Sequence, residues 1–269
     1  MENDDTIFAG AIPEAYDRLL VPFLFQPWAD LLAARVATLE PRRILETAAG
    51  TGVLTAALSQ RCPAASITAT DLNPAMLMVA RQRVTCRKVR FQPADALDLP
   101  FPNRSFDVVA GQFGIMFYPD KRRGLAEAAR VLRPTGTMIA AVWGSLDDNA
   151  ASKAIADAVT AALADDPPDF IARTPFGYHV PDVIRADAKA AGFSSVEVER
   201  VTLPHPRVTT ESAAEGMCLG SPLRAEIEGR GPDAMPRALE AAKAAMARLG
   251  DGDGRVAATM TALFISARA

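Results

Sequence analysis

A chain of 269 residues, 49% hydrophobic and 23% charged, has the make-up of an ordinary globular protein and could form one large or two small domains. A formal charge of −3 and a pI near 5.5 give no electrostatic reason to expect a nucleic-acid partner. Cys62, Cys86 and Cys218 are scattered and the only histidines are His179 and His205, so the expectation is a reducing, cytoplasmic setting with neither a disulfide framework nor a metal site.

In chain order, Met1-Glu2-Asn3-Asp4-Asp5 is acidic and unlike a signal peptide, and no apolar run reaches about 18 residues, so no membrane span is expected. From about Glu14 to Leu39 the spacing is helical, with Leu31, Leu32, Val36 and Leu39 on one face and Pro22 and Pro27 breaking the start. A first strand begins after Pro41 and reaches Ile44-Leu45-Glu46. It leads into Thr47-Ala48-Ala49-Gly50-Thr51-Gly52 and a helix over Val53 to Gln60. A second strand, Ile67-Thr68-Ala69-Thr70-Asp71, ends in an acid, and Pro74 opens the helix that runs to Val84. A third strand starts near Phe91, a fourth is Ser105 to Gly111, a helix covers Arg122 to Leu132, and a fifth strand ends at Trp143. Farther on, Ala150 to Ala164 and Pro181 to Ala191 are helical, the second closed by Gly192. Ser195 to Leu203 alternates as a strand. Residues 209–249 are helical in pattern, interrupted at Pro222, Gly229-Arg230-Gly231-Pro232 and Pro236, before a last apolar strand over Val256 to Ala267.

The strand, glycine turn, helix, strand and acid at 44–71 carry the chemistry. Gly50 and Gly52 allow a tight turn and close approach of the backbone to a ligand, with the next helix's amides free to donate. Asp71 at the following strand tip suits the two hydroxyls of a ribose. A dinucleotide fingerprint needs a third small residue where this chain has Thr55, and an acid at position 46 favours a cationic group over a pyrophosphate. An NAD-dependent oxidoreductase is therefore the weaker reading.

Glu46, Ala48, Gly50 and Gly52 resemble the first motif of the class I S-adenosylmethionine-dependent methyltransferases, with alanine where the family usually has its first glycine. The likeness is close over about residues 41–144 and points to the type 11 branch of small-molecule enzymes typified by ubiquinone and menaquinone biosynthesis. It implies a Rossmann-like α/β fold, a seven-stranded mostly parallel sheet with an antiparallel last strand beside strand five. An N-terminal helical lid at 1–40 would precede a methyltransferase domain at 41–269, with helical cap insertions at about 145–180 and 209–250. The cofactor implied is S-adenosyl-L-methionine. Its amino group would meet Glu46, its ribose Asp71, and its adenine Asp95 and the Ala96 amide, with Leu72 and Met76 alongside. Gln112 and Phe113 would sit near the methyl group, Phe113 by cation–π attraction as Phe117 and Tyr118 follow it. Tyr16 has two readings: it contacts the methionine end, or it packs its helix on the sheet.

The basic run Arg81, Arg83, Arg87, Lys88 and Arg90 reads as a solvated helix end and loop rather than an RNA site. Gly111-Gln112-Phe113-Gly114 lacks the Asn/Asp-Pro-Pro-Tyr motif of enzymes that methylate macromolecular nitrogens, so the expected partner is a small, apolar acceptor. No catalytic residue is assigned: His179 or His205 could serve as a base if the acceptor must lose a proton, but each reads rather as a surface or cap residue. A cofactor-binding protein without catalysis stands as an alternative, and oligomeric state is left open.

Overall fold

In a computed structural model describing residues 12–269, the chain begins with α1 (Ile12–Ala15), a π-helical segment Tyr16–Phe25 and α2 (Gln26–Ala37). The acidic start Met1-Glu2-Asn3-Asp4-Asp5 lies outside the described residues. Neither proline breaks this stretch, contrary to expectation. Pro22 sits within the π-helical segment, where the wider register is seen in the Gln26 amide donating to the Val21 carbonyl, and a residue without an N–H is absorbed by that change of register. Pro27 falls in the first turn of α2, whose amides need no helical partner.

By length and composition Pro13–Ala37 is apolar enough to cross a membrane, which a search for uninterrupted apolar residues misses because Asp30 and Arg35 are interspersed. In the fold, 56% of that apolar window is buried in the protein, and Trp28, Ala29, Leu32, Ala33 and Val36 are fully enclosed.

The α/β part follows as β1 (Arg43–Glu46), α3 (Val53–Arg61), β2 (Ser66–Asp71), α4 (Pro74–Arg83), β3 (Val89–Pro93), β4 (Phe106–Gln112), α5 (Lys121–Val131) and β5 (Leu132–Trp143). Helix starts are set locally. Asn73 caps α4 by accepting from the Ala75 amide, with Pro74 at the first helical position. Asp120 caps α5 by accepting from the Arg123 amide, and Gly124, Leu125, Ala128 and Val131 form its buried stripe. The later elements are α6 (Ala150–Ala162), α7 (Phe170–Arg173), α8 (Pro181–Ala190), β6 (Ser195–Pro204), α9 (Thr210–Leu219), α10 (Leu223–Glu228), α11 (Ala234–Ala247) and β7 (Thr259–Arg268). Pro236, expected to interrupt a helix, lies instead in the first turn of α11, the position proline tolerates.

The sheet has seven strands in the order β3-β2-β1-β4-β5-β7-β6, and its strand count and the antiparallel last strand beside β5 are those the family resemblance implies. β1 runs parallel to β2 and β4, β4 parallel to β5, and β7 antiparallel to β5 with Trp143 opposite Ala262. Strand order reverses between β1 and β4, the switch point at whose carboxyl end such sheets bind ligands. The central β5 is buried from Gly136 to Trp143, whereas the edge strand β3 keeps alternate residues exposed.

Contacts group the chain into two units. One comprises residues up to Pro27 with Gly144–Gly177 and Thr202–Thr261; the other is Trp28–Trp143 with Tyr178–Val201 and Ala262–Ala269. Within the first, α9 carries glycines where the π-helical segment comes closest: a Cβ on Gly216 would lie 3.2 Å from the Leu19 Cβ. Within the second, Trp28 is fully buried edge-on to both Phe113 and Trp143, whose rings stack at 3.9 Å.

Candidate cofactor site

β1 delivers Glu46 to the sheet's carboxyl edge between Ala69 of β2 and Ala110 of β4. The chain then turns through Ala48, Gly50 and Gly52, all with left-handed backbone at φ of 52°, 56° and 81°. The glycines take this at little cost, whereas for alanine it costs about 1 kcal/mol. The Ala48 methyl has a second consequence. A Cβ on Gly114, in the loop after β4, would lie 2.5 Å from the Ala48 Cβ, so alanine in the first loop demands glycine in the second. Ala48→Gly is expected to raise stability by about 0.5–1 kcal/mol, and Gly114→Ala to lower it by about 1–3 kcal/mol through overpacking. Combining them should restore most of the loss in a chemical denaturation series, and a double variant no better than Gly114→Ala alone would disprove the coupling.

The two acids are held differently. Glu46 is buried, and its Oε2 accepts from the Thr55 hydroxyl at 2.6 Å. Burial pushes its pKa up to about 8, the Thr55 bond opposing this and the nearby Asp71 charge adding to it. Thr55, which counted only against a dinucleotide fingerprint, is thus the partner of the buried acid. Asp71 accepts from the Gly50 amide on Oδ2 and the Asn73 amide on Oδ1, each at 2.8 Å, so it ties the glycine turn to the start of α4. Burial raises its pKa, and those two amides oppose the rise.

Asp95 is exposed just beyond β3, its Oδ1 accepting from the Leu97 amide in a turn that also contains Ala96. Tyr118 links these segments. Its hydroxyl donates to Thr47 Oγ1 at 3.3 Å, and burial pushes its pKa up to about 12, with the charges of Asp71 and Asp95 adding to the rise. The carboxyl ends of β1 and β2 and the segment after β3 thus lie near enough to the loop after β4 for Thr47 to bond Tyr118 and for Asp71 and Asp95 to act on it.

Leu72 is an exposed apolar side chain beside Asp71, while Met76 is buried with its Cε over Gly50. Gln112 ends β4. Phe113 has left-handed backbone at φ 54°, secured by its amide donating to the Ala141 carbonyl, and one face of its ring is taken by Trp143. Tyr16 belongs to the other unit and stacks on Phe25 at 5.0 Å. His205 lies in that unit too, stacked on Phe23 with Nδ1 3.4 Å from the Phe23 carbonyl oxygen. Burial pushes its pKa down to about 4, the environment of a neutral core histidine.

A bound group fits this turn. Thr51, between the two glycines, buries a hydroxyl that has no hydrogen-bond partner among the described residues, an arrangement that leaves a polar atom waiting for a ligand. Each Asp71 oxygen also keeps a lone-pair site beyond its amide bond.

The reversed strand order, left-handed glycine turn and acid at the tip of β2 define an α/β domain that binds an adenosine-containing cofactor. Residues 44–136 match the family model described as methyltransferase domain. The chain is 37% identical over 137 residues to a demethylmenaquinone methyltransferase of Deinococcus radiodurans, a match covering 49% of this chain and 57% of that protein. It is 37% identical over 119 residues to the ubiquinone/menaquinone biosynthesis C-methyltransferase UbiE of Bordetella parapertussis, covering 43% and 46%. The chain thus spans about half the length of the curated relatives it matches. Among solved structures, the YcgJ protein of Bacillus subtilis has the same fold, with a TM-score of 0.59 at 20% identity over 90% of this chain and 98% of that one. Over residues 44–136 the chain is thus similar to methyltransferase domains, and the curated relatives it matches include methyltransferases of quinone biosynthesis.

Proposed function

We propose that this protein transfers the methyl group of S-adenosylmethionine to a small, apolar acceptor. The observation that carries the reading is the convergence of Glu46 and Asp71 around the left-handed Gly50–Gly52 turn. Asp71 holds the ribose hydroxyls, Glu46 the methionine amino group, and Asp95 with the Ala96 amide the adenine edge; Leu72 and Met76 supply apolar contact, and Gln112 and Phe113 wall the methyl end. When bound, the cofactor would supply an electrophilic methyl on a sulfonium, open to in-line attack by the acceptor with S-adenosylhomocysteine leaving as the neutral thioether. The protein's share is orientation and exclusion of water, which supply a large part of such a rate enhancement. The buried Glu46 favours this over nicotinamide chemistry, since an acid at that point is stabilised in its ionised form by a cationic amino group and offers a pyrophosphate nothing.

The names of the relatives direct the first acceptor to a demethylated quinol ring. Calorimetry with S-adenosylmethionine, S-adenosylhomocysteine and NAD in parallel is expected to show micromolar binding of the two sulfur nucleosides and none of NAD. Adding demethylmenaquinol should then yield S-adenosylhomocysteine in proportion to methylated quinol. NAD binding alone would overturn the cofactor, and cofactor binding without product from any apolar acceptor would leave a binding protein.

A further inference from the structure

Among the cations of the run 81–90, the structure separates Arg83 from its neighbours. Arg81 bonds the Phe91 carbonyl and Lys88 the Pro63 carbonyl, both exposed, and Arg87 is exposed. Arg83 is partly buried, and its Nε donates to the Thr51 carbonyl at 3.0 Å. Thr51 lies between the two left-handed glycines.

Arg83 completes a face of α4 that follows the whole turn. Met76, Ala80 and Arg83 are spaced by four and three residues, hence on one side of the helix. Met76 Cε lies where a Cβ on Gly50 would be 3.8 Å away, and Ala80 Cβ where one on Gly52 would be 2.9 Å away. At the other end of α4 the Asn73 amide and the Gly50 amide share the Asp71 carboxylate. The Thr51–Gly52 peptide is thereby held on both sides, its oxygen by Arg83 and its N–H by the Ala49 carbonyl at 3.0 Å. Gly52, on the carboxyl side of this peptide, leaves it freer to rotate than a residue with a Cβ would, and a rotated turn no longer presents the same amides and hydroxyl to a ligand.

We propose that Arg83 is a positioning residue for the cofactor, its bond to the Thr51 carbonyl holding the Gly50–Gly52 turn in the conformation that binds. The inference rests on the proposed cofactor site. Removing the bond lowers the share of protein with a competent turn, and apparent affinity falls by that share.

The test compares Arg83→Met, Arg83→Lys and the control Arg87→Met with the wild-type chain. Three quantities are read: calorimetric affinity for S-adenosylmethionine and S-adenosylhomocysteine, deuterium uptake of the peptide spanning 47–53, and thermal midpoint. The expected result is about tenfold weaker binding of both nucleosides in Arg83→Met. Faster uptake at 47–53 but not in β1 should accompany it, with substantial recovery in Arg83→Lys, which keeps a donor, and no change in Arg87→Met. Wild-type affinity and uptake in Arg83→Met would overturn the proposal. So would an equal loss in both Arg83 variants accompanied by a lowered midpoint and general uptake, the mark of a purely structural role. If the wild-type chain binds neither nucleoside, the cofactor reading fails by itself, and the uptake comparison still decides whether Arg83 holds the turn.

Discussion

Asp71→Ala is expected to weaken S-adenosylmethionine binding by about 100- to 10,000-fold, because hydrogen bonds from two ribose hydroxyls to an ionised carboxylate contribute roughly 1.5–3 kcal/mol each. The sheet should remain intact, since Asp71 is the last residue of β2, paired only with Pro93 of the edge strand β3. The structure adds a smaller second effect. The Gly50 and Asn73 amides both lose their acceptor, so the turn loosens and the thermal midpoint falls modestly. Asp71→Asn should rescue little, because its amide nitrogen would face one of two backbone donors. Calorimetry alongside far-UV circular dichroism makes the check: wild-type affinity in a folded Asp71→Ala protein would remove Asp71 from the ribose.

The second large effect is a pH dependence set by Glu46. With a pKa near 8 in the ligand-free fold, Glu46 carries a proton at pH 7. A cationic amino group brought against it favours the ionised form, so binding should release a proton. Affinity is then expected to rise between pH 6 and 7.5, by up to about tenfold per pH unit. Calorimetry in buffers of different ionisation enthalpy counts that proton directly. Glu46→Gln should bind more weakly and lose the dependence; an unchanged pH profile in that variant would assign the proton elsewhere.

The same shift bears on stability, with a definite sign. The folded pKa is above the ordinary carboxylate value of 4.5, so between 4.5 and about 8 the folded state binds a proton that the unfolded state has lost. The stabilisation is complete below 4.5 and disappears as pH rises through 8. Asp71, also raised by burial, acts in the same direction. The midpoint of the ligand-free protein should therefore fall across that window, and Glu46→Gln should flatten the fall.

Much of the site could be read from residue order because it is local. A strand, a glycine turn and a strand-end acid lie within 44–71, and parallel pairing then carries Glu46 and Asp71 to the same edge. The helix caps at Asn73 and Asp120 are likewise short-range chemistry. Proline is a weaker guide at Pro22, Pro27 and Pro236. A rule about helix interiors does not apply to first turns, nor to a segment that has moved to π-register.

By itself, then, the sequence determined the α/β order and the cofactor turn, since hydrophobic period, glycine placement and strand-end acids act over a few residues, while the antiparallel last strand was implied only by the family resemblance. Only the tertiary structure decided that Thr55 partners Glu46, that Gly114 makes room for Ala48, that Arg83 holds the Thr51 carbonyl and that His205 is buried against Phe23. Those pairs are 9, 66, 32 and 182 residues apart, and what joins them is burial and steric fit, which have no period along a chain.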